Sequence, residues 1–288
     1  MNKADIYESV TNSIIEALED GLQGEWSLPW HKFSDMPQNV QSRKSYRGVN
    51  VPMLWVFQQK YGYKSGLWAT YKQWKDLGAQ VRKGEKGSQI VFWKSYEIEA
   101  QADHGEAETR MFARWSVVFN VDQVDGYDLL PANEKGQAQI IETANQFIKA
   151  TNADIRHGES RAFYNRKEDF INVPELDIYK DTGTSTATEN YYSTLLHELT
   201  HWSGAPTRLN RTKGEKFGDK EYAFEELVAE LGSAILCSSL NVSPAPRLDH
   251  AHYIQNWLKA LKDDKQFIFK AASQAQKAVD YLYGLQPD

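Results

Sequence analysis

The sequence predicts an α+β protein of two domains, in which helices and a small antiparallel sheet precede a mostly helical half. Two segments rich in Val, Ile, Phe and Trp, at 89–98 and 110–121, predict antiparallel strands, with the acidic stretch 99–108 as the loop between them. Segments with helical spacing of apolar residues flank these strands on both sides. The Gly-, Pro- and Asn-containing stretch 125–136 predicts a boundary, so we expect domains at 1–130 and 131–288.

Apolar periodicity and end signals predict the remaining elements in order. In the N-terminal half they indicate helices at 4–22, 49–61 and 71–77. In the C-terminal half they indicate helices at 137–151, 187–203, 221–240, 250–261 and 265–282, and a hairpin over 161–164 and 170–173. Thr186 or Thr188 is the expected cap of the helix at 187–203, because a threonine hydroxyl can accept from the free N–H groups of a first turn.

Composition indicates a cytoplasmic protein that is not associated with a membrane. The single cysteine, Cys237, allows no internal disulfide, suits a reducing compartment and is expected in the core. No stretch approaches the roughly 18 uninterrupted apolar residues of a membrane span. The first residues carry acids and no apolar core, so we expect no signal peptide there.

The net charge of −6 conceals a strongly basic segment. Residues 31–96 contain twelve Lys and Arg against three Asp and Glu, a local balance of +9, with aromatic residues interleaved among them. Aromatic faces stack on bases while cations follow phosphates, so this segment predicts single-stranded DNA as a partner. The expected DNA-binding residues are Arg43, Lys44, Arg47, Lys64, Trp68, Trp74, Arg82, Lys83 and Lys86. The alternative is a small domain with a Trp-rich core and a basic, solvated surface.

The motif H-E-x-x-H carries the predicted chemistry of the C-terminal half. His197 and His201 are four residues apart, so on a helix they share one face and can bind one metal ion at roughly 2.0–2.1 Å. Glu198 would then lie beside the metal as the base that deprotonates water. The alternative is two surface histidines that have this spacing by coincidence.

A catalytic zinc ion needs a third protein ligand and an open position. Metzincins supply a third histidine, but Thr207 occupies that position here. Glu226 and Glu230 share a helix face, which resembles the gluzincin arrangement, so we expect Glu226 as ligand and Glu230 orienting a metal-bound imidazole. Glu225 lies about 100° away around that helix and is the less expected neighbour. The alternative is that these acids form a solvated helix face.

A hydrolase of this kind also needs a group that stabilises a developing oxyanion. We expect Tyr253 in this role, with His250 and His252 as further candidates on the same helix. The alternative is that these three residues pack or lie on the surface. The expected cofactor is Zn2+, and Mn2+ is another divalent metal that the ligand set would accept.

The chain resembles the ArdC-type antirestriction proteins of conjugative plasmids over nearly its whole length. The resemblance is based on LPWHKF, YRGVNVPMLW, RKGEKGSQIVFW, LLHELTHWSGAPTRLNR, EELVAELGSAIL and YIQNWLKALKDDKQFIFKAASQAQKAVDYL. It implies an N-terminal domain that binds single-stranded DNA and a zincin-like, gluzincin-type metalloprotease domain, which together protect incoming DNA from host restriction.

The resemblance leaves the peptide or protein substrate undefined, and a host restriction component is one candidate. A rival interpretation is a DNA-shielding protein whose metal site is structural or unnecessary for protection. A metal-dependent nuclease is a weaker rival, because such enzymes gather several carboxylates around Mg2+.

Overall fold

The computed structural model describes residues 3–23, 28–31, 35–98, 108–128, 136–211, 220–243 and 251–287. The elements of the N-terminal half are α1 (Lys3–Gln23), a short 3-10 helix (Pro29–His31), β1 (Gln38–Asn39), α2 (Asn50–Tyr61), β2 (Leu67–Ala69), α3 (Tyr71–Asp76), β3 (Gln80–Val81), β4 (Ser88–Ile98), β5 (Glu108–Asn120) and β6 (Val124–Asp125). The three predicted helices of this half are present, with bounds shifted by a residue or so.

The N-terminal half contains a four-stranded sheet in the order β1-β2-β5-β4. Strands β4 and β5 pair antiparallel from Ser88 opposite Val118 to Ile98 opposite Glu108, which confirms the predicted hairpin. The predicted loop between them lies outside the described residues except for Glu108. Strands β3 and β6 form a separate two-stranded pair. The sequence did not indicate the short strands β1, β2, β3 and β6, because runs of two or three residues show little alternation.

The elements of the C-terminal half are α4 (Gln137–Ala150), β7 (Asp154–Arg156), β8 (Phe163–Asn165), β9 (Phe170–Asn172), a 3-10 helix (Leu176–Ile178), α5 (Ala187–Trp202), α6 (Lys220–Leu240), α7 (Ala251–Asp263) and α8 (Phe267–Gly284). Strands β8 and β9 form the predicted hairpin, and β7, which was not predicted, adds parallel to β9. The whole chain is therefore α+β, as predicted. No helix in the described ranges is long and apolar enough to cross a membrane.

Helices α5 and α6 pack closely, and this contact builds the site described below. Thr186 caps α5 through a capping box with Glu189, which resolves the choice between the two threonines. A Cβ added at Gly232 of α6 would lie 2.6 Å from Cγ2 of Thr200 on α5. Glycine at position 232 therefore permits the short distance between the two helices, because any larger side chain would push them apart.

A single cluster of buried apolar residues joins both halves of the chain, because α1 packs against the C-terminal helices. The Thr11 hydroxyl of α1 donates to the carbonyl oxygen of Lys265 at 2.7 Å. Trp30, between α1 and the first strand, is fully buried in the same cluster, as is Cys237 in its predicted core position. The two expected domains thus share a core, and the division near residue 130 stays a prediction.

Candidate metal centre and nucleic-acid surface

The metal centre is built where α5 and α6 run antiparallel. His197 and His201 lie one turn apart on α5, and α6 brings Glu226 to both of them. The distances are 3.7 Å from His197 Nε2 to Glu226 Oε2 and 3.5 Å from His201 Nε2 to Glu226 Oε1. One ligand atom from each residue lies within 4.8 Å of the other two, and all three residues are buried. The structure therefore brings together the three residues that the sequence predicts as ligands.

The donor set fits a divalent metal ion. Two imidazoles and one carboxylate are the three protein ligands of many catalytic zinc sites, which keep a fourth position open. Burial raises the pKa of the Glu226 carboxyl, but the charges and hydrogen bonds of His201 and His197 outweigh burial and hold that pKa well below its ordinary value. An ionised Glu226 and the two Nε2 atoms that face it offer three donor atoms around one position, which is what a bound metal ion requires.

Glu230, which the sequence predicts to orient a metal-bound imidazole, lies one turn after Glu226 on α6 and faces the ring of His197. Its Oε2 atom is 3.6 Å from His197 Nδ1, on the opposite side of the ring from Glu226. Its Oε1 atom lies 2.5 Å from His31 Nε2 and accepts from the indole N–H of Trp30 at 3.3 Å. Neither Trp30 nor His31 was predicted from the sequence to belong to the site.

Glu225 faces the second imidazole, which corrects the expectation that it lies away from the ligands. Its Oε1 atom is 3.2 Å from His201 Nδ1. Because the helices are antiparallel, His197 meets Glu230 whereas His201, one turn later on α5, meets the earlier Glu225. The arc of α6 that faces α5 is wide enough to bury Glu225 as well as Glu226. Each imidazole therefore has a carboxylate facing its Nδ1 atom, within hydrogen-bond distance at His201 and slightly beyond it at His197, and such a partner orients the ring of a ligand.

Arg211 holds Glu225 in place. Its guanidinium donates to both carboxylate oxygens, from Nε to Oε2 at 3.0 Å and from one terminal nitrogen to Oε1 at 2.8 Å. The same group donates to the Thr200 carbonyl oxygen and to the Ser203 hydroxyl. Burial raises the pKa of Glu225, but hydrogen bonds from His201 and Arg211 reverse this effect and leave the pKa below its ordinary value. A buried ion pair of this kind needs such extra hydrogen bonds to offset desolvation.

Gly204 gives Arg211 its access to the site. A Cβ at this position would lie 2.8 Å from the guanidinium carbon of Arg211. Neither Gly204 nor Arg211 was predicted from the sequence to belong to the site. The available signal was Glu225, because a buried carboxylate that is not a metal ligand needs a cation.

The predicted catalytic residues lie in or beside this cluster. Glu198 follows His197 on α5 and is buried. The hydroxyl of Tyr253 on α7 lies 3.2 Å from that of Tyr222, and the two rings stack with centroids 5.8 Å apart. Tyr222 precedes Glu226 by one helical turn on α6. Its pKa is raised by burial, by the Glu226 charge and by the hydrogen bond with Tyr253, so its hydroxyl stays protonated at neutral pH.

Tyr222 was not predicted from the sequence, although its spacing of four from Glu226 was visible. Tyr222 contacts Tyr253 on one side and Glu226 on the other, so it connects the predicted catalytic tyrosine to the predicted metal ligand. His250 lies outside the described residues, and so does the side chain of His252.

The expected basic residues of the N-terminal half lie at the surface. The exposed set is Arg43, Lys44, Arg47, Lys64, Arg82, Lys83 and Lys86. Two of these charges are partly neutralised within the fold. Arg47 pairs with Asp280 at 2.5 Å, and Arg82 pairs with Glu85 at 3.0 Å. Arg43 and the lysines are therefore the more available partners for phosphate groups.

Trp68 and Trp74 cannot offer a face to a base in this structure, which corrects their assignment as stacking residues. Both are fully buried: Trp68 lies in the main core, and Trp74 lies in a smaller one, where its indole N–H donates to the Phe119 carbonyl at 3.0 Å. Large aromatic rings stabilise a fold most when buried, so a small domain uses its tryptophans internally. The exposed aromatic residues of this half include Tyr61, Tyr71 and Phe92, each 45–49% exposed.

Comparison with known proteins places both halves of the chain in described families. Residues 4–119 match the family described as the N-terminal domain of anti-restriction factor ArdC, and residues 142–274 match the family of zincin-like metallopeptidases. Among curated relatives, the Sinorhizobium fredii protein y4eC is 44% identical over 293 residues, covering 99% of this chain and 93% of that protein. The Escherichia coli DNA primase TraC is 36% identical over 305 residues, and this chain spans 27% of its length.

Two crystal structures of the antirestriction ArdC protein from the R388 plasmid are similar along almost the entire chain. The metal-free structure has 41% identity and a TM-score of 0.78, covering 98% of this chain and 97% of that one. The Mn(II)-bound structure has 42% identity and a TM-score of 0.76, covering 97% of each chain. On these grounds the chain belongs to the ArdC family of antirestriction proteins, with an ArdC-type N-terminal domain and a zincin-like C-terminal domain.

Proposed function

We propose that the protein protects incoming conjugative DNA from restriction, binding single-stranded DNA with its N-terminal half and hydrolysing a peptide bond at a zinc site in its C-terminal half. The observation that carries the enzymatic part is the convergence of His197, His201 and Glu226, with Glu198 on the same helix as both histidines. A carboxylate behind each imidazole supports a site that holds metal tightly in one geometry. An Mn(II)-bound ArdC structure makes Mn2+ a second candidate for the metal.

The roles of the side chains follow from their positions. A bound zinc ion would supply Lewis-acid polarisation of the scissile carbonyl and of a water molecule. Glu198 would accept the proton of the attacking water and deliver it to the leaving amine. Tyr222 offers a neutral hydroxyl beside Glu226, and the Tyr253 hydroxyl lies 3.2 Å from that of Tyr222; hydroxyl donors of this kind can stabilise the charge that develops on the carbonyl oxygen.

A second function, DNA shielding without hydrolysis, is favoured by the surface of the N-terminal half. Exposed lysines and exposed aromatic rings occur together there, and this combination suffices for binding single strands. In this alternative the metal holds α5 and α6 together and no peptide is cleaved.

The variant Glu198→Gln separates the two functions, because it keeps the shape of the side chain but removes the base. We expect it to retain stoichiometric metal and to bind an oligonucleotide like wild type, but to lose peptidase activity on a mixed peptide library. Its matched control is Glu221→Gln, which alters an exposed acid on α6. If conjugation into a restricting recipient is protected equally by wild type and Glu198→Gln, protection does not require hydrolysis. If neither wild type nor the control cleaves any peptide, the enzymatic proposal fails.

A second experiment tests the DNA surface. Anisotropy of a labelled oligonucleotide gives the affinity of the full chain at several salt concentrations. Joint replacement of Lys64, Lys83 and Lys86 by Ala should weaken binding and flatten the salt dependence, by a slope of about 0.7 for each phosphate that the variant no longer neutralises. The control replaces Lys149 and Lys167, two exposed lysines of the C-terminal half. Equal affinities for both variants would remove the basic segment from the DNA site.

Stacking is tested at the exposed aromatic residues. Tyr71→Ala or Phe92→Ala should weaken binding by about 1–3 kcal/mol for each stacked base, with little loss of fold stability. Trp74→Ala should instead destabilise the protein, because it removes a fully buried ring. A wild-type affinity in both the Tyr71 and Phe92 variants would show that bases do not stack there.

A further inference from the structure

The N-terminal half reaches into the metal centre through one short turn. Trp30 and His31 form part of the 3-10 helix Pro29–His31, and both side chains are buried. The His31 Nε2 atom and the Trp30 indole nitrogen both approach Oε1 of Glu230, at 2.5 Å and 3.3 Å. These partners are about 200 residues from Glu230 in sequence. Their contact therefore depends on the way the two halves of the chain pack together.

The two oxygens of Glu230 have separate partners. Oε1 is bound by the N-terminal turn, whereas Oε2 faces His197 Nδ1 at 3.6 Å. A carboxylate is planar, so two donors on one oxygen also restrict the direction of the other. Without these donors the end of the Glu230 side chain could rotate, since its terminal torsion is broad and roughly two-fold. The turn therefore controls whether Glu230 Oε2 faces His197 Nδ1.

We propose that His31 and Trp30 are positioning residues of the metal centre, which act on His197 through Glu230. The inference rests on the proposed binding of a divalent metal by His197, His201 and Glu226. Metal affinity then depends on the N-terminal half, although that half supplies no ligand. By reciprocity, a bound metal favours the docked position of the turn, which couples the two halves of the molecule energetically.

A purely structural role for this turn makes a different prediction. If Trp30 and His31 only complete the core, their replacement lowers stability but leaves the affinity of the folded protein for metal unchanged. Trp55 provides a matched case, because it is also fully buried in the same core and its indole N–H donates to the Asp35 carbonyl at 3.1 Å. Nothing in that contact involves Glu230.

The experiment measures the dissociation constant for Mn2+ by isothermal titration calorimetry on the full chain, at a temperature where circular dichroism shows each variant folded. His31→Ala and Trp30→Phe should each weaken Mn2+ binding, by no more than the roughly 10–100-fold that loss of a partner behind a ligand causes. His31→Gln restores an N–H donor and should recover part of the affinity. Trp55→Phe should bind Mn2+ like wild type.

A double-mutant cycle then tests whether the effect passes through Glu230. In the Glu230→Gln background, His31→Ala should cause little further loss, because the group through which His31 acts has been changed. Wild-type affinity for Mn2+ in His31→Ala and Trp30→Phe would overturn the proposal. It would also be overturned if His31→Ala weakened Mn2+ binding by the same factor in the Glu230→Gln background as in wild type. A wild-type chain that binds no Mn2+ and no Zn2+ would instead refute the metal centre itself.

Discussion

The replacement Glu225→Ala should affect both metal binding and folding. It removes the carboxylate 3.2 Å from His201 Nδ1, so the second imidazole loses the group that orients it. It also leaves the Arg211 guanidinium buried without the acid that accepts two of its hydrogen bonds. The first loss concerns the site and the second concerns the whole fold, so the two effects can be measured separately.

Their magnitudes follow from the two contacts. Loss of a partner behind a metal ligand reduces affinity about 10–100-fold, which corresponds to about 1.4–2.7 kcal/mol. Removal of one member of a buried ion pair destabilises a protein by roughly 3–5 kcal/mol. The loss in the free energy of unfolding should therefore exceed the loss in the free energy of metal binding. Because domains are stable by about 5–15 kcal/mol, a wild type that is stable by more than about 5 kcal/mol leaves this variant folded at room temperature.

Urea denaturation without metal gives the change in the free energy of unfolding, and calorimetric titration with Mn2+ gives the affinity. The control Glu221→Ala alters an exposed acid of the same helix, so it should stay within about 0.5 kcal/mol of wild type. In the double variant Glu225→Ala with Arg211→Ala, the destabilisation should be smaller than the sum of the single effects, since no buried charge remains unpaired.

Two results would refute this reasoning. An unfolding free energy within about 0.5 kcal/mol of wild type would show that Arg211 does not depend on Glu225. An unchanged affinity for Mn2+ would show that Glu225 does not orient His201, whatever its effect on stability.

Three further predictions concern parts of the fold outside the ligand set. Gly232→Ala should destabilise the protein by about 1–3 kcal/mol and weaken Mn2+ binding, because the added Cβ would lie 2.6 Å from Thr200 Cγ2. The further change Thr200→Ser removes that methyl group, so it should recover part of both losses in urea denaturation and in the calorimetric titration with Mn2+. Burial raises the pKa of Glu189, but hydrogen bonds from Thr186 and Ser243 outweigh burial and lower that pKa, so the ionised group stabilises the fold above about pH 4.3 and this effect is lost as the pH falls through the folded pKa. Urea titrations at several pH values should show that the free energy of unfolding of Glu189→Gln falls less steeply with decreasing pH than that of wild type, and an equal fall would contradict this. Burial raises the pKa of the Cys237 thiol to about 12, so an aromatic disulfide reagent should label it only after unfolding, and fast labelling of the native chain would contradict its buried position.

The sequence alone determined the parts of this protein that lie within one element. His197 and His201 share a face because any α-helix places positions i and i+4 one turn apart, and the same rule paired Glu226 with Glu230. The long strands β4 and β5 were predictable because eleven or more residues carry a clear composition, and β8 and β9 were predicted as a hairpin, whereas β1, β2, β3, β6 and β7 are too short to carry such a signal. Local rules are enough for these features, since the residues involved are neighbours along the chain.

Apart from the meeting of Glu226 with the two histidines, which was expected from its likeness to the gluzincin arrangement, tertiary structure decided the contacts between residues distant in sequence. That Glu225 meets His201, that Arg211 meets Glu225 and that His31 meets Glu230 all depend on how helices and turns pack, and no periodicity encodes them.

The same holds for the aromatic residues of the N-terminal half. Composition shows that this half has many of them, but only the packed structure shows that Trp74 is inside and Tyr71 outside. The physical reason is that an aromatic ring gains free energy either by burial in a core or by stacking on a ligand, and the residue type is the same in both cases.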